Sequence, residues 1–222
     1  MRHVQKILGL AMAAVTAFSL AACGQAGTGS GSSAPSESSE SSAAQTPASS
    51  GSESPAAGAE ESSTLVAYFS WSGNTEEMAS YIAEQTGGEL LEIQPETPYP
   101  EDYSECGDVA LAERDSNERP AIANLPESID EYDTILIGYP IWWHTAPMII
   151  GTFLESYDLT GMEIYPFTQS ASMNTEQFDN SVSFVQENAE GAQVHDGLFA
   201  RPSDTEAIGA YLSDNGLARE ED

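Results

Sequence analysis

Positive charge is what this chain has least of. Its 222 residues carry 6 Lys+Arg against 36 Asp+Glu, a formal net charge of -30. Arg2 and Lys6 sit at the very start; beyond them there is no lysine, only Arg114, Arg119, Arg201 and Arg219. Polynucleotide binding needs clustered Lys and Arg, so nucleic acid is excluded as a partner. The same imbalance repels anionic lipid headgroups from the folded surface. Cysteine is nearly as scarce, and Cys23 and Cys106 cannot build a disulfide framework. The length holds one α/β domain and a tail, and is too short for a pair of full-sized domains.

Long apolar runs are missing too. Residues 7–20 are uncharged and apolar or small, following the basic Arg2 and Lys6. That is short for a bilayer span, which takes about 20 apolar residues. It fits the hydrophobic region of an export signal. Leu20-Ala21-Ala22-Cys23 then resembles a bacterial lipobox. The resemblance implies a lipoprotein signal peptide over 1–22, with diacylglycerol on Cys23 after cleavage. It places the protein outside the cell, lipid-anchored to the outer face of the bacterial cytoplasmic membrane. An ordinary secretory signal with an incidental cysteine is the alternative. Residues 23–63 begin with that Cys and continue as Ser, Ala, Gly and Pro with scattered Glu, without aromatics, Val, Ile or Leu. Such a stretch cannot repay its ordering entropy and is expected to be a disordered tether, roughly 35 Å from end to end. Gly27, Gly29 and Gly31 imitate a nucleotide fingerprint there, but neither a strand nor a helix flanks them.

From residue 64 to 222 the pattern becomes a globular alternation. Short apolar runs predict strands over 65–69, 90–93, 134–139, 163–167 and 194–199. Helices are predicted over 74–86, 103–117, 146–157, 175–188 and 204–215. Met78, Ala79, Ile82 and Ala83 share one face of the first, and Gly87-Gly88 closes it. Asn74 with Glu77 has the form of a capping box, and Thr145 is placed to cap the third helix. Strands separated by helices imply an α/β, doubly wound, five-stranded parallel sheet covered on both faces, a three-layer sandwich. The connection over 94–131 is long, holds Pro95, Pro98, Pro100, Pro120 and Pro126, and carries Arg114 and Arg119. A wall or lid of a site and a surface helix with solvated arginines both remain open for it.

Chemistry concentrates in the loops after the strands. Ser70-Trp71-Ser72-Gly73-Asn74-Thr75 stands between the first strand and its helix. Open parallel sheets bind ligands beyond the carboxyl ends of their strands. There, main-chain N–H groups at a helix N-terminus join the hydroxyls of Ser70, Ser72 and Thr75 in an anion cradle without a cationic side chain. Glu76 and Glu77 in the first helical turn work slightly against a bound anion. Spacing alone leaves an ordinary N-cap turn equally open. The loop after the central strand reads Pro140-Ile141-Trp142-Trp143-His144-Thr145-Ala146-Pro147. Adjacent tryptophans point different ways and are hard to explain as core; beyond a buried strand they suit a flat aromatic ligand.

With both loops in place, the stretch from about 64 to 217 resembles the flavodoxin family, in particular flavodoxin-like domains with a double tryptophan in the second flavin loop. The resemblance implies strand order 2-1-3-4-5 and a noncovalently bound flavin mononucleotide (FMN). It assigns the phosphate to Ser70, Ser72, Gly73, Asn74 and Thr75, with Trp71 in the same loop. Pro140, Ile141, Trp142, Trp143 and His144 would line the isoalloxazine. The third loop departs from the family: Phe167 to Asn174 contains no glycine and lacks the stacking aromatic of many flavodoxins. Thr168, Gln169, Ser170 and Ser172 are its remaining hydrogen-bonding groups. His144 is either a donor to substrate or an exposed loop residue, and Cys106 reads as a small packed side chain. Functionally the resemblance implies a redox protein whose partner is a protein or a small acceptor such as a quinone. A flavodoxin-like binding or scaffolding lipoprotein that no longer uses flavin is the alternative.

Overall fold

The computed structural model describes residues 63–219. The signal peptide, the lipidation of Cys23 and the tether are expectations that lie outside the described residues. The elements are β1 (Thr64–Tyr68), α1 (Asn74–Thr86), β2 (Glu89–Glu92), α2 (Tyr103–Ser116), β3 (Thr134–Pro140) and α3 (Met148–Glu155). They continue as β4 (Glu163–Gln169), α4 (Thr175–Asn188), β5 (Gln193–Val194), β6 (Leu198–Phe199) and α5 (Thr205–Asp214). The strands form one sheet in the order β2-β1-β3-β4-β5, with β6 also pairing with β4. Every pairing between named strands is parallel. This is the flavodoxin-like doubly wound architecture that the resemblance implies.

Strict alternation along the strands feeds two cores. Leu65 and Ala67 of β1, Phe69 just beyond it, and Ile135, Ile137 and Tyr139 of β3 face a layer holding Ile149, Ile150 and Phe153 of α3 and Val185 of α4. Val66, Tyr68 and Leu136 face Met78, Ala79 and Ile82 of α1 and Ile208 and Leu212 of α5. Burial of each large aliphatic or aromatic side chain contributes about 1.5–3 kcal/mol before entropy is counted, so the sheet holds its helices chiefly through these faces. The segment over 94–131 is ordered on both sides of α2. Pro95 bridges Ile122 in antiparallel fashion, and the amides of Glu96 and Ala123 donate across at 2.8 Å.

Local details depart from the sequence expectations, each for a reason of backbone geometry. The last strand is two short ones. His195 still donates its amide to Ile164 at 2.9 Å, but Gly197 lies so close to the Pro166 carbonyl that a Cβ would meet it at 3.1 Å. The predicted Asn74–Glu77 capping box does not form. Gly73 takes the N-cap position at φ 85, and Asn74 is already helical, its side-chain Nδ2 donating to Ser72 Oγ at 3.1 Å. The third helix begins at Met148 with Pro147 as its N-cap and no side-chain cap. Thr145 is unavailable as a cap because its main chain closes a tight turn with Trp142, with amide-to-carbonyl distances of 2.9 and 3.0 Å.

Candidate functional site

The loops after β1, β3, β4 and β6 all lie at the carboxyl edge of the sheet, and the strand order reverses between β1 and β3. A cleft opens there as two adjoining cavities. One, of about 520 Å³, is lined by Ser72, Asn74, Pro140, Gln169, Ser170 and Arg201 among others. The other, of about 430 Å³, is lined by Cys106, Gly107, Trp143, His144 and Gln177 among others. Trp71, Tyr103, Ile141 and Trp142 belong to both.

At the first end the chain builds a set of donors. Gly73 is needed for its conformation rather than for space, since a Cβ there would meet nothing within 4 Å while φ is +85. The first helical hydrogen bond runs from Glu77 N–H to the Gly73 carbonyl, 3.0 Å. The amides of Asn74, Thr75 and Glu76 therefore have no acceptor within the helix. The two loop serines spend lone pairs internally: Ser70 Oγ accepts from Gly73 N–H at 3.1 Å, and Ser72 Oγ accepts from Asn74 Nδ2 at 3.1 Å. Each hydroxyl still has its proton to donate outward. Thr75 is 1% exposed at the first turn of α1. This donor set fits a dianionic phosphoryl group.

The second end is aromatic and rigidly braced. Trp142 is half-buried and meets Phe69 edge-on at 5.3 Å and Tyr99 edge-on at 5.1 Å between ring centroids. Trp71 donates its indole N–H to the Pro100 carbonyl at 2.9 Å and lies 6.3 Å from the Tyr103 ring. Trp143 and His144 form the centre of the tight turn at φ 47 and 69. Two successive non-glycine residues in the left-handed region cost about 1–2 kcal/mol each. The strain is held by α2: the Trp143 indole N–H donates to the Gly107 carbonyl at 2.7 Å, and the Arg114 guanidinium donates to the Trp143 carbonyl at 3.0 Å. The long connection is thus a wall of the site.

The predicted residues are not equivalent in placement. Ser72, Asn74, Pro140, Ile141, Trp142, Gln169 and Ser170 line the first cavity, and Trp143 and His144 line the second. Thr168 is fully buried and its hydroxyl donates to the Tyr139 carbonyl, so that side chain is committed to the sheet. In the glycine-free third loop, Ser170 and Ser172 hydroxyls lie 3.3 Å apart and Met173 adopts φ 48. Missing from the sequence reading were Tyr103, Gln177 and Arg201. The rule that ligands gather at strand carboxyl ends would have pointed to Arg201, which follows the last strand; Tyr103 and Gln177 carry no local signal.

Behind the aromatic wall, Tyr99 donates to Glu113 at 2.9 Å. Burial raises the Glu113 carboxyl above its ordinary value, although the Tyr99 hydrogen bond acts the other way. Burial likewise raises the Cys106 thiol, which packs as expected of a small side chain. An acid whose folded pKa lies above its unfolded one stabilises the fold at low pH and loses that contribution as pH rises. Glu113→Gln keeps an acceptor for Tyr99 without the charge. Its melting temperature is expected to exceed wild type near pH 7, with the gap closing toward about pH 4. A gap independent of pH in thermal scans would contradict this.

Comparison with known proteins agrees with the geometry. Residues 63–208 match the family described as flavodoxin, and the chain belongs to that family. Among solved structures, a Bacteroides uniformis protein described as a candidate flavoprotein is 36% identical, with TM-score 0.61, covering 68% of this chain and 98% of its own. A similarly described Bacteroides eggerthii protein is 34% identical, with TM-score 0.62, covering 69% of this chain and 97% of its own. A Lactobacillus acidophilus flavoprotein crystallised in complex with FMN is 32% identical, with TM-score 0.56, covering 65% of this chain and 97% of its own. No curated protein matches the chain.

Proposed function

We propose that this chain is an FMN-binding redox protein, passing electrons to a protein partner or a small acceptor. The observation that carries the reading is the joined cleft: phosphate-type donors at one end, indole walls at the other, and Trp71, Tyr103, Ile141 and Trp142 shared between them. The FMN complex of the 32% identical Lactobacillus flavoprotein supports it. When bound, FMN supplies the one- and two-electron chemistry of its isoalloxazine. The protein's part is to hold and shield it. Ser70 and Ser72 hydroxyls and the free amides of the first turn of α1 would bind the phosphoryl group. Trp142 and Trp143 would bound the ring, with Gln169 and Ser170 offering polar contacts along the cleft.

The test is titration of the purified mature protein with FMN. Quenched flavin fluorescence with micromolar or tighter affinity, about −8 kcal/mol or stronger, is expected. Weak binding without spectral change would favour the flavin-free binding module instead. Export and a lipid on Cys23 belong to the same proposal and rest on Leu20-Ala21-Ala22-Cys23. Attachment to the outer face of the membrane would give the domain access to membrane redox components. Incorporation of labelled fatty acid that survives Cys23→Ala would refute the anchor.

A further inference from the structure

In a chain this acidic, where each cation goes is informative. Among the described residues, Arg114 pairs with Asp115 at 2.6 Å and Arg119 with Glu155 at 2.7 Å. Arg219 lies over Gly87 at the far, carboxyl end of α1, its Cδ 3.2 Å from where a Cβ would stand. Arg201 differs. Its guanidinium makes no hydrogen bond or ion pair among the described residues, and it lines the same cavity as Ser72, Asn74 and Ser170.

The loop that carries Arg201 is held in place. Ala200 N–H donates to the Thr168 carbonyl at 3.3 Å, fixing the start of the loop against the end of β4, and Asp204 N–H donates to the Arg201 carbonyl at 3.0 Å. Pro202 restricts the backbone between them. The nearest acid in sequence is occupied elsewhere: the Asp204 carboxylate caps α5 by accepting from Ala207 N–H at 3.2 Å. Arg201 is the only cation and Glu77 the only acid among the residues described as lining this cavity.

That pairing bears on which flavin the cleft accepts. A phosphomonoester entering meets Glu77 in the cavity wall and Glu76 in the same helical turn. More distant acids are screened beyond about 8–10 Å in physiological salt, so the local balance decides. Neutral hydroxyl and amide donors hold the phosphoryl group, and a cation adds charge-assisted bonds to its oxygens that a neutral sugar hydroxyl cannot draw. We propose that Arg201 is a specificity-determining residue, donating to the phosphoryl oxygens and selecting the phosphorylated flavin over riboflavin. This rests on the FMN reading of the cleft.

The experiment measures dissociation constants of FMN and riboflavin for the mature chain, for Arg201→Gln and for Arg201→Lys. Arg201→Gln is expected to weaken FMN about tenfold while leaving riboflavin within about twofold, with Arg201→Lys in between. An unchanged melting temperature guards against a folding artefact. Equal losses for both flavins, or no loss for FMN, would overturn the role of Arg201 while wild-type binding left the FMN reading intact. A wild-type chain that binds neither flavin would overturn both.

Discussion

Gly138→Ala is expected to lower the stability of the domain by about 3 kcal/mol, the upper range for overpacking a core. Gly138 lies in β3 directly opposite Phe167 of β4. A Cβ there would stand 2.2 Å from Phe167 Cζ and 2.3 Å from Cε2. Phe167 is fully buried, so its ring has nowhere to swing. The strands must part, or the ring must leave its rotamer. Urea denaturation should show a lowered midpoint, and Phe167→Leu in the same chain should recover a large part of the loss by vacating the ring's volume. A single-variant loss below about 0.5 kcal/mol would mean that the β3–β4 packing is looser than described. Gly73 is the instructive contrast. Alanine there meets open space and faces only the left-handed backbone, about 1–2 kcal/mol. One glycine protects the sheet, the other shapes the phosphate turn.

The effect of Gly138 reaches the site through register. The pairing that sets Gly138 opposite Phe167 also sets Tyr139 opposite Thr168 and Pro140 opposite Gln169. The second and third loops therefore leave the sheet side by side. A slip by one residue would exchange the buried Tyr139 and Thr168 for the cleft-lining Pro140 and Gln169.

Much of this was legible in the chain because it is written in period and punctuation. The apolar runs at 65–69 and 134–139 are too continuous for half-exposed strands, and the helices between them end at recognisable signals such as Gly87. The site loops follow by rule from the strand ends. What escaped was set by tertiary geometry. Asn74 has good capping chemistry, yet the left-handed Gly73 moved the cap one residue earlier. Thr145 has a hydroxyl in the right place, yet its main chain was already engaged with Trp142. Thr168 looks like a flavin ligand by position, but period 2 turns its side chain into the sheet, where it bonds the Tyr139 carbonyl. The role of α2 depends on contacts such as Gly107 with Trp143, 36 residues apart, which no local pattern encodes.

Those contacts also separate the two tryptophans, which adjacency in sequence makes look interchangeable. Trp142 is an internal strut: half-buried, edge-on to Phe69 and Tyr99, and lining both cavities. Trp143 is 42% exposed, lines one cavity, and has the Arg114 guanidinium 5.8 Å from its ring centroid. Trp142→Ala should therefore cost about 2–3 kcal/mol of stability through the void it leaves beneath Tyr99, and weaken FMN by a stacking-sized 1–3 kcal/mol, roughly 5- to 150-fold. Trp143→Ala should leave stability within about 1 kcal/mol, because relief of the left-handed backbone is small for alanine and the lost indole contacts lie at the surface. Its effect on FMN should be the smaller of the two, since removing it opens one cavity without breaching the wall common to both. Parallel urea and FMN titrations decide the matter. Equal and small losses in affinity would mean that neither indole touches the ring, and a larger loss at Trp143 would move the flavin toward α2 and away from the shared wall.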